Sequence, residues 1–406
     1  MINRVKAVFD DFVLHFKRTL SGMSLAIIGQ AFNFLAMLLP VFAGRADMIA
    51  FLIFPLAVAY ILARFSSLAF HVQYLTQRTD SEKSICFKAS TLSLVFISGL
   101  ILAVAVIAWV LLNEMALQML SIGLLTFSQG LYFIYSTILI RENALTEFAA
   151  MRFFFGVVNC LTTVAACYGY RSLFALVAAT AFTNFSSAVF VIGIGSKKGH
   201  LPKFRGKTVG YVTRAFPAMM GVLLADVSSQ IQSLLVPFMG PYKEFWAAMQ
   251  RLGGGLGTVA QQILAPPLEA RLSRIVTSGL DDQLGRSFVK KSIAMGICFS
   301  GFGTFSVLVC VYLAAGFAGN IPLLVIMGIV VSIFVMVTGA VTVRMPYILG
   351  RAKYMQMWGL LRTVSFAVLL LLPSDYLLIM FGVVSAVFWA FELRILLGRK
   401  GGEKIS

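Results

Sequence analysis

The chain has 406 residues, of which 59% are hydrophobic and only 12% are charged, and its mean hydropathy is +0.91. A soluble domain has about a quarter of its residues charged, so this composition provides too little polar surface for a protein surrounded by water. The net charge of +17 does not indicate nucleic-acid binding, because the basic residues are concentrated in the loops between apolar segments. The composition excludes a soluble protein and indicates an integral membrane protein with no nucleic-acid partner.

The apolar residues fall into segments of roughly the length that a helix needs to cross ~30 Å of hydrocarbon, about 20 residues. The predicted spans are 21–43, 48–74, 89–112, 115–140, 153–170, 172–195, 210–236, 245–270, 292–316, 320–343, 354–373 and 376–393. They predict an all-α integral membrane protein of about 12 transmembrane helices, arranged as two six-helix bundles around a central cavity.

The basic residues predict the orientation of the chain. With the N-terminus inside, most of the 33 Lys and Arg residues fall in inward loops and tails, and the outward loops contain Arg45, Arg171 and Lys243. This asymmetry follows the positive-inside rule. It predicts that both termini are cytoplasmic.

Residues 1–20 have a different pattern from the spans. Val5, Phe9 and Phe12 recur at helical spacing among basic residues, which predicts an amphipathic helix lying on the inner membrane face. A cleaved signal peptide is the alternative. The apolar run that follows is too long for the central region of such a peptide.

The most densely basic connection, residues 196–209, falls near the middle of the chain. We expect it to be a cytoplasmic linker between an N-terminal bundle at 21–195 and a C-terminal bundle at 210–393, followed by a cytoplasmic tail at 394–406. No predicted loop is long enough to hold a soluble catalytic domain. We therefore expect the function to reside among the helices and the protein not to be an enzyme.

The cysteines and histidines do not form the pattern of a metal site or of a disulfide framework. There is no CxxC pair, the three histidines are scattered, and all but one of the cysteines fall inside predicted spans. We expect no metal ion and no cofactor. The cysteines are Cys86, Cys160, Cys167, Cys298 and Cys310.

Several predicted spans contain polar residues, and a charge at membrane depth costs ~2.5–3.5 kcal/mol unless it has a partner or a wet cavity. We expect Arg64, Arg251 and Arg362 to line a cationic cavity that binds an anionic substrate, because a guanidinium can bond two phosphate oxygens and stays charged. The expected polar lining, which includes candidates for ion coupling, consists of Asp226, Gln230, Gln262, Asn33 and Gln30.

Structural interpretations of the same charges remain open. Arg251 and Asp226 could form an ion pair between neighbouring helices, with no ligand involved. Arg64 could instead extend to the inner membrane interface, as long basic side chains do near helix ends. The first alternative predicts a dry contact and the second a side chain among the headgroups, where the functional interpretation predicts a cavity.

The segment 226–274 combines a polar helix, a short turn, an aromatic pair and a second helix with a small-residue run. Its distinctive features are Gln250-Arg251, the glycines within 253–257, Pro266-Pro267 and Arg271. In these features it resembles the seventh and eighth helices of bacterial polysaccharide flippases, which handle O-antigen-type lipid-linked oligosaccharides, in the multidrug/oligosaccharidyl-lipid/polysaccharide (MOP) superfamily. Phe245-Trp246 stands where that family usually has a tyrosine.

The resemblance implies a flippase that moves a polyprenyl-diphosphate-linked oligosaccharide across the bacterial cytoplasmic (inner) membrane by alternating access, for surface polysaccharide biosynthesis. It implies Arg251 as a cavity arginine, with Arg64 and Arg362 as partners for the diphosphate or for acidic sugars. The implied partners are this glycan lipid, membrane lipids, H⁺ or Na⁺ as coupling ion, and the polysaccharide assembly machinery.

Two other functions remain open. A cation-coupled exporter of drugs or other small molecules, from the same superfamily, would use Asp226 as its coupling group. A membrane-embedded glycan polymerase or ligase is the second alternative. Such enzymes usually need sizeable outward loops for their catalytic groups, and the outward loops predicted here are short.

Overall fold

The computed structural model describes residues 24–398, apart from positions 78, 113, 143, 171, 200, 266–267, 269–270, 273–274, 276–281, 315–320, 343–344 and 350. The predicted amphipathic helix at 1–20, the Pro266-Pro267 pair and the end of the predicted tail at 399–406 lie outside these residues. Nearly all of the described chain is helical, and this part of it contains no strand. The predicted all-α class is therefore confirmed.

By their contacts, the described residues form two compact units, one ending at Pro237 and the other beginning at Phe238. The helices of the first unit are α1 Ser24–Phe42, α2 Ala46–Ser66, α3 Phe70–Thr76, α4 Asp80–Leu112, α5 Glu114–Arg141, α6 Leu145–Val164, α7 Phe174–Lys198 and α8 Val209–Leu234. Within this unit, α1 packs along α6, α5 packs against α2, α4 and α7, and α8 packs against α2. The helix that follows the predicted linker thus packs with the helices that precede it, while the boundary at 196–209 stays a prediction.

The second unit is built around one central helix. Its helices are α9 Lys243–Val259, α10 Asp282–Ala314, α11 Leu323–Thr342, α12 Met345–Ile348, α13 Ala352–Leu369 and α14 Ser374–Leu397. Helix α11 contacts α9, α10 and α14, and α13 packs against α14. Helix α14 continues to Leu397, so its last turn extends into the segment predicted as a tail from 394.

Nine helices in the described part of the chain are long and apolar enough to cross a membrane, which makes this a multi-pass membrane protein. They correspond to α1, α2, α4 to α7, α10, α11 and α14. The other three predicted spans correspond to α8, α9 and α13. These are the helices that contain Asp226, Arg251 and Arg362, so three of the charged candidates lie outside the nine helices, whereas Arg64 lies on α2.

Each unit contains a seam at which two helix backbones meet through glycine. In the first unit, Gly29 of α1 faces Gly156 of α6, and a Cβ atom on either would collide with the backbone of the other helix. In the second unit, Gly328 of α11 faces Gly382 of α14, and a Cβ on Gly382 would come within 2.7 Å of the Gly328 Cα. Small residues permit this close approach, which favours dispersion contacts where lipid supplies no hydrophobic driving force.

The predicted span 48–74 is interrupted in the structure. Helix α2 ends at Ser66, and a separate helix α3 begins at Phe70. Between them the buried residues Leu68 and Ala69 have φ angles of 54° and 52°, which is the left-handed region that non-glycine residues rarely adopt. Such strain persists where the surrounding packing imposes it and is concentrated at functional sites. The interruption comes one turn after Arg64.

Candidate functional site

Arg64 of α2 forms an ion pair with Asp226 of α8, inside the first unit. The Arg64 Nη1 donates a hydrogen bond to the Asp226 Oδ1, and the two side chains are 21% and 6% exposed. A second hydrogen bond of 3.0 Å runs from Nη1 to the hydroxyl of Tyr60, whose ring centroid lies 5.1 Å from the guanidinium carbon. Tyr60 precedes Arg64 by one helical turn, so both side chains lie on the same face of α2.

The Asp226 carboxylate has an unused acceptor. Its Oδ2 atom is buried and makes no hydrogen bond within the described residues. A carboxylate offers about four lone-pair positions, and burial of an unsatisfied oxygen carries a free-energy cost. The ion pair therefore leaves one oxygen of Asp226 open to a further donor, cation or proton.

Arg362 of α13 is held between two aromatic rings in the second unit. The guanidinium carbon lies 5.2 Å from the Trp358 ring centroid and 5.5 Å from that of Phe366. The Trp358 indole donates a 3.1 Å hydrogen bond to the carbonyl oxygen of Phe388 on α14, which fixes α13 against α14. The Arg362 Nε is buried and makes no hydrogen bond within the described residues.

A buried carboxylate that the sequence analysis did not select lies one turn beyond Phe388. Glu392 of α14 is 6% exposed and accepts a 3.2 Å hydrogen bond from the Thr342 hydroxyl of α11. The sequence does contain the signal of an acidic residue within an apolar span, since Glu392 falls inside the predicted span 376–393. It lies near the end of that span, two residues before the predicted tail.

Arg251 and Gln250 are buried in the middle of α9, at 8% and 4% exposure. Helix α9 packs on α11, and a Cβ on Gly253 would come within 2.6 Å of the Ile333 side chain. At Gly253, therefore, the glycine run serves tight packing. The helix continues into a π-helical turn at Ala260–Leu264, a distortion that often marks functional positions.

The uncharged candidates are distributed over both units. Asn33 on α1 accepts a 2.7 Å hydrogen bond from the amide of Asn159 on α6, and both residues are buried. Gln30 is also buried on α1, and Gln230 on α8 is half-buried. Gln262 lies in the π-helical turn, but its side chain is not among the parts that the structure describes. Asn33 thus has a structural contact within one unit, and its cavity role stays a prediction.

The structure shows the contacts of Asp226 and Arg64, for which the sequence left structural alternatives open. Asp226 bonds Arg64, rather than the Arg251 considered from sequence. Arg64 also lies in the last turn of α2, where extension to the interface was the alternative, but its guanidinium is held by Tyr60 and Asp226 instead. Among the described residues no cluster of three or more His, Cys, Asp or Glu side chains could hold a metal ion.

No family model matches the sequence, and no curated protein sequence matches it. Solved structures do match the fold. A lipid II flippase, MurJ, in an inward closed conformation, gives a TM-score of 0.61 at 12% identity, covering 92% of this chain and 87% of that one. A Vibrio cholerae MATE transporter, VcmN, gives 0.55 at 12% identity, covering 96% and 99%.

The MATE multidrug transporter DinF-BH, solved as a complex, gives a TM-score of 0.55 at 14% identity, covering 96% of both chains. A further inward-facing MATE structure with a TM-score of 0.55 is described as a member of the MOP superfamily. At these identities the likeness concerns the fold. The chain shares the fold of the lipid II flippase and of these MATE transporters over nearly its whole length.

Proposed function

We propose that the protein is a flippase that moves a polyprenyl-diphosphate-linked oligosaccharide across a bacterial cytoplasmic membrane by alternating access, for surface polysaccharide biosynthesis. The observation that carries this proposal is that each unit holds an arginine inside a helix of the membrane fold with its guanidinium pre-oriented against an aromatic ring. A planar guanidinium fixed in this way suits the paired oxygens of a diphosphate.

Further support comes from the charge of the candidate side chains. Arg64, Arg251 and Arg362 outnumber the two acids that are buried among the described residues, Asp226 and Glu392. The lipid II flippase among the similar folds acts on a lipid-linked substrate by its name, and the resemblance of residues 226–274 points to the same class of cargo. H⁺ or Na⁺ as coupling ion, the inward position of both termini and association with the polysaccharide assembly machinery belong to this proposal.

The test is transfer of a fluorescent undecaprenyl-diphosphate disaccharide across vesicles that contain the purified protein. We expect an Arg64→Ala/Arg251→Ala/Arg362→Ala triple variant to lose transfer by at least about a hundredfold, since each lost charge-assisted contact is worth about 1.5–3 kcal/mol. Arg214→Ala is the matched control, because Arg214 is exposed at the start of α8. It should transfer at the wild-type rate.

The result that overturns the proposal is wild-type transfer by the triple variant, or no transfer by the wild-type protein when MurJ in matched vesicles transfers the same lipid. In a host that makes a surface glycan, deletion of the gene should abolish that glycan. Plasmid copies of the wild type should restore it, whereas the triple variant should fail at equal expression.

The buried carboxylates favour one alternative, a cation-coupled exporter of small molecules. Asp226 has an open oxygen, and MATE transporters share the fold. This function predicts that expression raises tolerance to cationic dyes and that Asp226→Asn removes that tolerance. Under the flippase proposal, expression leaves dye tolerance unchanged.

A further inference from the structure

The two units contain the same local arrangement around an arginine. In each, an aromatic residue precedes the arginine by four positions, and the ring centroid lies 5.1 Å from the guanidinium of Arg64 and 5.2 Å from that of Arg362. In the first unit the buried Asp226 of α8 accepts a hydrogen bond from Arg64, and in the second the buried Glu392 lies on α14, the helix against which α13 packs. Each unit therefore contains a couple of one arginine and one buried carboxylate on packed helices, and in the first unit the two are bonded to each other.

The aromatic side chains and the carboxylates restrain the arginines differently. A ring one turn away fixes the plane of a guanidinium without using its N–H donors. A carboxylate bonded to a guanidinium, as Asp226 is to Arg64, in contrast occupies a donor that would otherwise bind a phosphate. Both acids are in turn positioned by their surroundings, Glu392 through the Thr342 hydroxyl and Asp226 by burial on α8.

We infer that Asp226 and Glu392 are internal counter-ions that compete with the phosphate groups of the cargo for Arg64 and Arg362. This inference rests on the proposed function and names the residues that set its affinity. In the empty protein each carboxylate neutralises a guanidinium that would be costly to leave unpaired at membrane depth. When a diphosphate arrives it displaces the carboxylate, and when the carboxylate returns it expels the diphosphate.

The energetic consequence follows from the competition. A ligand binds with an affinity reduced by the fraction of protein in which its partner is free, so an internal counter-ion weakens diphosphate binding. A transporter gains from this, since a cargo held too tightly is not released on the far side. Neutralising the counter-ion should make binding tighter and release slower.

The experiment measures binding of inorganic pyrophosphate to the purified full-length protein by titration calorimetry. Asp226→Asn and Glu392→Gln keep an oxygen that can accept from Arg64 and from Thr342, so both variants retain their packing. We expect each to lower the Kd for pyrophosphate by about tenfold relative to wild type, the scale of one charge-pair contact. The Arg64→Gln/Asp226→Asn double variant should lose this gain.

Asp47→Asn is the matched control. Asp47 pairs with Arg45 at 3.3 Å at the start of α2, so it is an acid beside an arginine at the opposite end of that helix from Arg64. It should bind pyrophosphate as the wild type does. In vesicles, Asp226→Asn and Glu392→Gln should transfer the labelled lipid several-fold more slowly despite their tighter binding.

The inference is overturned if both variants, monodisperse on gel filtration, bind pyrophosphate no more tightly than wild type, or if no form binds it. The couples lie in different units, so a folding failure of one variant leaves the other to decide. Tighter pyrophosphate binding by the variants without any lipid transfer by the wild type would refute the proposed flippase and leave the counter-ion role standing. Lipid transfer with unchanged binding would do the reverse.

Discussion

The arginine of the first unit and the arginine of the second unit are held by different kinds of contact. Arg64 bonds its acid directly and sits one turn before a helix break, at which Leu68 and Ala69 adopt left-handed backbone angles. Arg362 lies inside α13 between two aromatic rings, and its acid, Glu392, is hydrogen-bonded to Thr342. Arg64 is thus held by a direct ion pair together with Tyr60, whereas the contacts of Arg362 are distributed over two aromatic rings.

The comparison shows that a buried arginine can be stabilised in two ways, which differ in how strongly a substitution is expected to destabilise the protein. A direct buried pair leaves an isolated charge when either partner is removed, and that penalty is large. In a distributed arrangement the remaining groups keep hydrogen bonds or ring contacts. We therefore expect substitutions in the first unit to have the larger effects on stability.

Double-mutant cycles give the largest expected difference between the couples. Arg64→Ala should lower the free energy of unfolding by about 3 kcal/mol, because it leaves Asp226 charged and buried, and adding Asp226→Ala should recover most of that loss. For Arg362→Ala with Glu392→Ala, the coupling should be about 1 kcal/mol. Denaturant unfolding in detergent measures both cycles. Equal coupling energies in the two cycles would show that the two arginines depend on their acids to the same extent.

Substitutions at the glycine seams should have the next largest effect. Gly156→Ala and Gly382→Ala both force a methyl group into a neighbouring backbone, and overpacking of this kind costs about 1–3 kcal/mol. Thermal unfolding in detergent should show a lower midpoint for both variants.

The control for the seams is Gly99→Ala on α4, where no atom lies within 4 Å of the added Cβ. Alanine is the better helix former by about 1 kcal/mol, so this variant should keep or raise the midpoint. An equal fall of the unfolding midpoint in all three variants would show that close packing at the glycine seams is not the cause of the destabilisation.

The smallest expected effects concern the aromatic residues that hold the arginines. Tyr60→Phe keeps the ring but removes the hydroxyl that accepts from Arg64, and should cost about 1 kcal/mol. Trp358→Phe removes the indole hydrogen bond to Phe388, and interhelical bonds of this type in membranes average about 0.6 kcal/mol. Tyr168→Phe, at an exposed position, should change nothing. A larger loss for Trp358→Phe than for Tyr60→Phe would reverse the ranking of the two units.

Much of the fold could be predicted because membrane helices are encoded locally. The spans ending near Phe42, Arg141 and Thr342 agree with helices of the structure to within a few residues, since a run of apolar residues has one stable arrangement in lipid. The break at Leu68 and Ala69 could not be predicted in this way. Both residues are apolar, and their backbone angles are imposed by the packing around them.

The candidate site was only partly accessible to the same reasoning. Asp226, Arg64 and Arg362 were identified because a charge inside an apolar segment is conspicuous. Glu392 was missed because it stands at the edge of its span beside Arg394. Asn159 was missed because a single amide in a helix carries no periodic signal, and its partner, Asn33, lies 126 positions away.

The sequence by itself determined that the chain is a multi-pass helical membrane protein and that it places costly charges in a few of its helices. Composition and apolar length suffice for this, because the free energy of transfer into lipid depends on each segment alone. The tertiary structure decided which charges meet. Arg64 and Asp226 are 162 positions apart. Each charge alone would be costly inside the membrane, and only the packing of α2 against α8 brings the two side chains together as an ion pair.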